Sequence, residues 1–460
     1  LKDVMWDKEF GGYYTLTDRE GKLLVMEGDS YTKIAYGNAF AIYGLAAYFE
    51  ISGDSSALDL AIQSFHWLDR HSYDPVYGGY FQYLERDGTP LTEGLDGTPP
   101  KDQNSSIHIL EGFTELYKVW PDDHLKRRIK ETLVLIRDTI TTDKGYMNLF
   151  FHRDWTPVLI SDTRYPGVNS THQFDYISFG HDIETAYLLL EASETIGIEN
   201  DTLTHRVSKL MCDHTLRTGW DPETGATYEA GYYFEESEHM TILEKYTQWW
   251  AATESFHTIL LMSTLYPDDP MDYYTRFTIT WDYCKTYLID AENGGWYRLG
   301  TNESPESAQG DKAGIWKGNY HNARSLIRCM NLLDAWIESP TIDRMATKET
   351  VNLFTNLKAL SQQHTLFGHQ DDPAYGIGWA YEPGKSDCKL TTGSYPSVYG
   401  WELGGLELGQ DENLDQVPFA TMRELIIEAY LRGGVNTISW HEYSPLSGKD
   451  SWADTEDTIN

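Results

Sequence analysis

Apolar residues recur at three- and four-residue spacing in paired runs along the N-terminal part of the chain. In the first pair, Ile42, Leu45, Ala46 and Phe49 share one face of Ile34–Ile51, and Leu58, Ile62, Phe65 and Leu68 share one face of Ser56–Arg70. The breaker Ser52-Gly53-Asp54 parts them. This is the period of helices buried on one side. The same reading predicts helices over Ser106–Val119 and Asp123–Thr139, Ile183–Thr195 and Asp201–Leu216, Leu243–Leu265 and Met271–Leu288, with an unpaired ninth over Tyr320–Ile337.

Between the pairs lies a recurring turn. It is clearest at Asp7 with Gly11-Gly12-Tyr13, Asp74 with Gly78-Gly79-Tyr80, and Asp290 with Gly294-Gly295-Trp296; weaker copies start at Asp143 and Asp221. The leading aspartates are 67, 69, 78 and 69 residues apart, so the repeat is one helix pair plus one hairpin. Such units cannot bury their apolar faces alone. A closed α/α toroid, with an inner ring of helices inside an outer one, resolves that. Ring closure also predicts one hairpin and about three helices ahead of Leu1.

The pattern changes after Ile337. Glu338 to Asp343 has a proline and no helical period, which marks a linker, taken as 338–346. Beyond it, a helix over Glu349–Leu360 is followed by strand-like runs at Thr365–His369, Ser397–Leu403 and Val435–His441, with a helix over Pro418–Arg432. Strand–helix alternation predicts a parallel sheet, and polar residues close its strand ends: His369, Asp371, Glu402 and His441. That is the layout of a (β/α)8 barrel, with only three of its strands in 347–460.

Composition narrows the function. The net charge of −35 argues against nucleic acid and anionic membranes, which attract basic surfaces. Fifteen Trp and 32 Tyr fit aromatic walls of the kind that stack on sugar rings. The four cysteines, Cys212, Cys284, Cys329 and Cys388, are too scattered for a zinc site. No cofactor motif is present, and no apolar run approaches the roughly 18 residues of a membrane span.

Candidate chemistry sits near the helix starts. His181 and Glu184 are three apart on one face, so the carboxylate is expected to support the imidazole. Asn104 and His108 are four apart; Trp249-Trp250 leads to Glu254; Trp316 leads to Tyr320-His321-Asn322 and Arg324. If these are inner helices, their N-terminal ends converge on one funnel with positive potential. Two histidines on opposite walls fit removal of a proton beside a carbonyl and its return on the other face. For an open-chain aldose this is epimerisation at C2 through an enediolate. A two-carboxylate glycosidase and a non-catalytic aromatic sugar cleft are the alternatives.

These stretches, together with Tyr36-Gly37-Asn38-Ala39-Phe40, resemble the N-acylglucosamine 2-epimerase superfamily, and most closely its cellobiose 2-epimerases, over residues 1–337. The resemblance implies an (α/α)6 barrel without cofactor. It implies His181 and His321 as the acid/base pair, supported by Glu184, with His108 and Asn104 on the reacting sugar. Trp250, Trp316 and Glu254 would bind the disaccharide, and Tyr36 would line the pocket. It also implies a substrate-binding arginine on an inner helix ahead of Leu1, and a tryptophan where this chain has Tyr187.

The segment from 346 on resembles the start of a family 26 β-mannanase, through Leu366-Phe367-Gly368-His369-Gln370-Asp371, Tyr399-Gly400-Trp401-Glu402 and Ile438-Ser439-Trp440-His441. That family's catalytic glutamates lie on later strands. The pairing points to mannobiose rather than cellobiose as the disaccharide. It leaves β-mannan hydrolysis as a second activity. The first half is expected in the cytoplasm and the second to be exported.

Overall fold

The computed structural model describes the chain apart from residues 26–30, 96, 163, 165–171, 235–236, 339–342, 344–345, 362–363, 444–447 and 449–460. The described residues fall into two compact units, Leu1–Glu338 and Ser339–Asn460. Most of the expected linker lies outside them.

The first unit holds nine α-helices among its described residues: α1 Ala35–Ser52, α2 Ser55–Ser72, α3 Gln103–Val119, α4 Asp123–Leu135, α5 Phe179–Thr195, α6 Thr202–Thr218, α7 Trp249–Leu265, α8 Tyr273–Tyr283 and α9 Tyr320–Glu338. The odd-numbered helices pack side by side in chain order, and each even-numbered helix backs its predecessor. The fold is an α/α toroid, mainly helical. Helices α3, α5 and α7 are buried round most of their circumference, polar residues such as Glu111, Glu184 and Glu254 included. Phe113, Ile183, Leu189, Ile259 and Leu260 are fully buried in one continuous core.

The two rings begin differently. Each outer helix is capped by an aspartate whose carboxylate accepts from backbone N–H groups of its first turn: Asp54, Asp122, Asp201 and Asp272. The inner helices α1, α3, α5 and α7 have no side-chain cap. Instead, the opening N–H groups of α1, α3 and α7 (Ala35, Gln103 and Trp249) donate to the carbonyls of Gln82, Leu149 and Arg298, at the end where the hairpins lie. There, two-residue strands knit neighbouring repeats together, Lys33–Ile34 with Tyr83–Leu84 and Lys101–Asp102 with Phe150–Phe151.

The aspartate of each clear turn anchors this end. Asp74 Oδ1 accepts from Val76 N, and Gly78 and Gly79 take positive φ of 71° and 67°, which a side chain would resist. The other oxygen meets the buried Lys101 ammonium at 3.1 Å, and Lys33 meets Asp7 at 3.2 Å in the same way.

Several boundaries differ from expectation. α3 and α5 start three and four residues earlier than their apolar periodicity predicts, at Gln103 and Phe179, because polar residues occupy their first turns. α7 starts later than Leu243: Thr241–Glu244 is a strand paired with Ala230–Tyr232. The outer helices α4 and α8 each end in a π turn, Ile136–Ile140 and Cys284–Leu288.

In the second unit, Gly368–Gln370, Val398–Glu402 and Val435–Ser439 form a parallel sheet in that order. The last two are joined through the helix Phe419–Leu431, and Trp401 and Tyr399 form its small core. No described helix is long and apolar enough to cross a membrane.

Candidate active site

The inner helices place their first two turns around a cavity of about 930 Å³. Tyr36 of α1, Asn104 and His108 of α3, His181 of α5, Trp250 of α7 and His321 of α9 line it, with Trp316 from the preceding loop. Seven of the nine candidate side chains thus come together. All lie on, or just ahead of, the N-terminal end of an inner helix.

Trp250 stands between the two candidate acid/base groups, its ring 4.6 Å from that of His181 and 5.6 Å from that of His321. Gly180 makes this possible: a Cβ there would lie 2.6 Å from the Trp250 ring. On the other wall Phe40 packs 4.6 Å from His108, and Tyr36 lies 6.5 Å from both His108 and Trp316. Trp316 is 55 % exposed and forms part of the rim.

The two remaining candidates, Glu184 and Glu254, lie beneath the cavity wall. Both are fully buried and outside the cavity lining. Glu254, expected to bind substrate, faces His321 instead, with Oε1 2.7 Å from Nδ1. Glu184, expected to support His181, accepts from Arg324 Nη2 at 2.6 Å and stands 3.8 Å from His321 Nδ1. The i,i+3 spacing put Glu184 and His181 on one helix, but Arg324 from α9 draws the carboxylate down into the barrel.

Arg324 is the hub. Its guanidinium bonds to Glu111 of α3, Glu184 of α5 and Glu254 of α7. Glu111 in turn meets His108 Nδ1 at 3.1 Å and accepts from the Tyr320 hydroxyl. A buried ionic network therefore ties His108 to His321 through four helices. Glu111 sits at about 2, where Arg324 and His108 outweigh the burial that opposes its ionisation. Glu184 and Glu254 are pushed up by burial, with Glu254 also repelling Glu184. Glu184, Glu254 and His321 present ligand atoms within 4.8 Å of one another, a spacing that would suit a metal ion. The Arg324 guanidinium already bonds to both carboxylates and supplies that positive charge.

Burial disfavours the charged form of both imidazoles, with His181 and His321 each lowered to about 3. Their Nδ1 atoms are occupied, by Ser178 Oγ at 2.7 Å for His181 and by Glu254 for His321. Each ring therefore has Nε2 left for a substrate.

Sequence reasoning missed several participants. Glu111 was available from its i+3 spacing to His108. Ser178 closes a two-residue strand and carries no signal of its own. Glu229 and Arg298 also line the cavity, from segments outside the helices. Burial raises the Glu229 carboxyl to about 7, and Gln248 donates to it at 2.8 Å. Lys245, near the expected α7 start, is exposed. A larger cavity of about 1590 Å³ lies toward the opposite ends of the helices; Tyr187, Glu191, His257 and Arg328 line it, and none of the candidates does.

The family profile of N-acylglucosamine 2-epimerase matches residues 1–325. The chain belongs to this family. It is an isomerase of the sugar-epimerase type. A cellobiose 2-epimerase of Bacteroides fragilis is 28 % identical over 344 residues, covering 72 % of this chain and 78 % of that protein. The solved cellobiose 2-epimerase of Spirochaeta thermophila superposes with a TM-score of 0.63 at 28 % identity, covering 74 % of this chain and 78 % of its own. A mannan endo-1,4-beta-mannosidase of Bifidobacterium adolescentis is 35 % identical over 115 residues, 24 % of this chain and 11 % of that protein.

Proposed function

We propose that the epimerase acts at C2 of the reducing-end sugar of a β-1,4-linked disaccharide, by proton transfer between His181 and His321. The observation that carries this is the pair of desolvated imidazoles flanking Trp250 in one cavity, each with Nδ1 engaged and Nε2 left for the sugar. In the open-chain aldose, one imidazole takes the C2 proton. The C–H electron pair moves into the C1–C2 bond, and the carbonyl oxygen becomes an enediolate oxygen. The other imidazole, in its protonated form, gives a proton to the opposite face of C2. The pair ends the cycle with its proton on the other side, ready for the reverse reaction.

The positive ends of the inner-helix dipoles, uncapped by any N-cap side chain in α3 and α5, and the cavity-lining Arg298 add positive potential where the enediolate forms. Asn104 and His108 are positioned to hold the sugar oxygens. Trp250 and the rim residue Trp316 supply apolar ring faces for the two sugars.

For the substrate we favour mannobiose, converted to mannosyl-glucose. What supports this is the likeness of the second unit to a mannan-cleaving enzyme, whose products would be mannose-based; the cellobiose 2-epimerase relatives support the linkage and the position of attack. The test is a comparison of kcat/KM for mannobiose and cellobiose, with product identified by NMR. A higher value for mannobiose is expected; a higher value for cellobiose would overturn the choice of sugar and leave the reaction class standing.

A further inference from the structure

The two imidazoles are held by chemically different partners. Glu254 is a buried carboxylate, so it only accepts, and it keeps a proton on Nδ1 of His321. The partner of His181 is the Ser178 hydroxyl, 2.7 Å from Nδ1, which can donate or accept by rotating. Ser178 is also the N-cap residue of α5. A serine there ordinarily accepts from a backbone N–H of the first turn, but this one makes no such bond. Its hydroxyl is committed to the imidazole instead, and the helix end stays uncapped, although every outer helix of the same toroid is capped.

We infer that Ser178 is a positioning residue for His181. Its hydroxyl oxygen turns the ring so that Nε2 meets the sugar, and it stays the acceptor for Nδ1–H through each turnover. When Nε2 is bare, Nδ1–H donates to the Ser178 oxygen; when Nε2 has taken the C2 proton and His181 is an imidazolium, Nδ1–H still donates to that oxygen. Glu254, by contrast, holds a carboxylate against Nδ1 of His321. The inference rests on the reading of His181 and His321 as the acid/base pair. It adds that the two faces of C2 are served by unequal groups, one tied to a charged carboxylate and one to a neutral hydroxyl.

The experiment compares Ser178→Ala and Ser178→Thr with the unaltered chain in D2O. Both epimeric disaccharides are supplied separately, and C2 exchange and conversion are read in the same NMR time course. In Ser178→Ala, conversion should fall by roughly the tenfold to hundredfold that outer partners of a functional histidine are worth. Exchange at C2 should persist in the one epimer whose C2 hydrogen faces His321, so its exchange-to-conversion ratio rises. Ser178→Thr, which keeps the hydroxyl, should restore conversion. Equal loss of exchange and conversion in Ser178→Ala would mark a merely structural serine and overturn the inference, as would a threonine variant no better than alanine. If the unaltered chain exchanges C2 in neither epimer, the acid/base reading itself fails, and the role of Ser178 with it.

Discussion

Both units carry a histidine against a carboxylate at the end of a secondary element, yet the two pairs differ in everything around them. In the second unit Glu402 accepts from His441 Nδ1 at 2.6 Å, from Ser439 and from the backbone N–H groups of Gly404 and His441. These bonds hold its carboxyl at about 2. The imidazole beside it is 45 % exposed. In the first unit the His321 side chain is 17 % exposed, Glu254 is fully buried, and the pair opens on a cavity with a second imidazole in its wall. A histidine–carboxylate bond is therefore not a site. What makes one is desolvation, which shifts proton affinity, together with a second proton carrier across a space that a sugar can fill.

The most severe way to test this contrast is to remove the imidazoles. His321→Ala should lower kcat for epimerisation by about 10²- to 10⁴-fold while disaccharide binding persists, and His441→Ala should leave epimerisation untouched. Steady-state kinetics with a binding isotherm for each variant checks both. If His441→Ala cripples epimerisation, the two pairs are not as different as their surroundings imply.

Next in size is the ionic hub. Arg324→Met leaves Glu111, Glu184 and Glu254 without their shared cation and should cost about 3–5 kcal/mol of stability, the usual penalty for breaking a buried pair on one side. Denaturant unfolding measures it. A loss no larger than that of an exposed pair such as Arg432–Glu428, about 0–1 kcal/mol, would contradict the reading of a desolvated network.

How much of this was legible beforehand follows from what each signal can carry. Helical period revealed the paired helices, and the Asp–Gly–Gly turns revealed the repeat, because both are local. The starts of α3 and α5 were misread because site residues, Asn104 and His181 among them, interrupt the apolar period in the first turn. Seven candidates line one cavity because their residue types stand out near helix starts, which the toroid gathers at one end. Glu184 and Glu254 bond to Arg324, a partner that spacing along one helix does not reveal. Ser178, Glu229 and Arg298 depend wholly on tertiary packing.

A smaller effect lies in the response to acid. His181 and His321 are each depressed to about 3 from an ordinary value of 6.5. The folded state thus binds fewer protons than the unfolded one between those limits, and stability is lost as pH falls through that window. Glu111, depressed to about 2 from 4.5, adds a loss of the same sign in the lower part. Thermal unfolding of the toroid should drop between pH 6.5 and 4, and less steeply in a His181→Gln, His321→Gln double variant. An equal slope in the two would show that other groups carry the acid sensitivity. Smallest of all is the rim: Trp316→Ala should raise KM for the disaccharide about two- to tenfold with kcat preserved, as expected for one aromatic contact of about 0.5–1.5 kcal/mol.

The most direct measurement of the central claim is deuterium incorporation at C2 of mannobiose in D2O, followed by NMR with the unaltered chain, His181→Ala and His321→Ala. The account predicts incorporation accompanied by inversion in the unaltered chain, and no inversion in either variant. Inversion without any deuterium at C2 during extended turnover in D2O, or inversion that survives loss of either imidazole, would contradict the two-histidine mechanism.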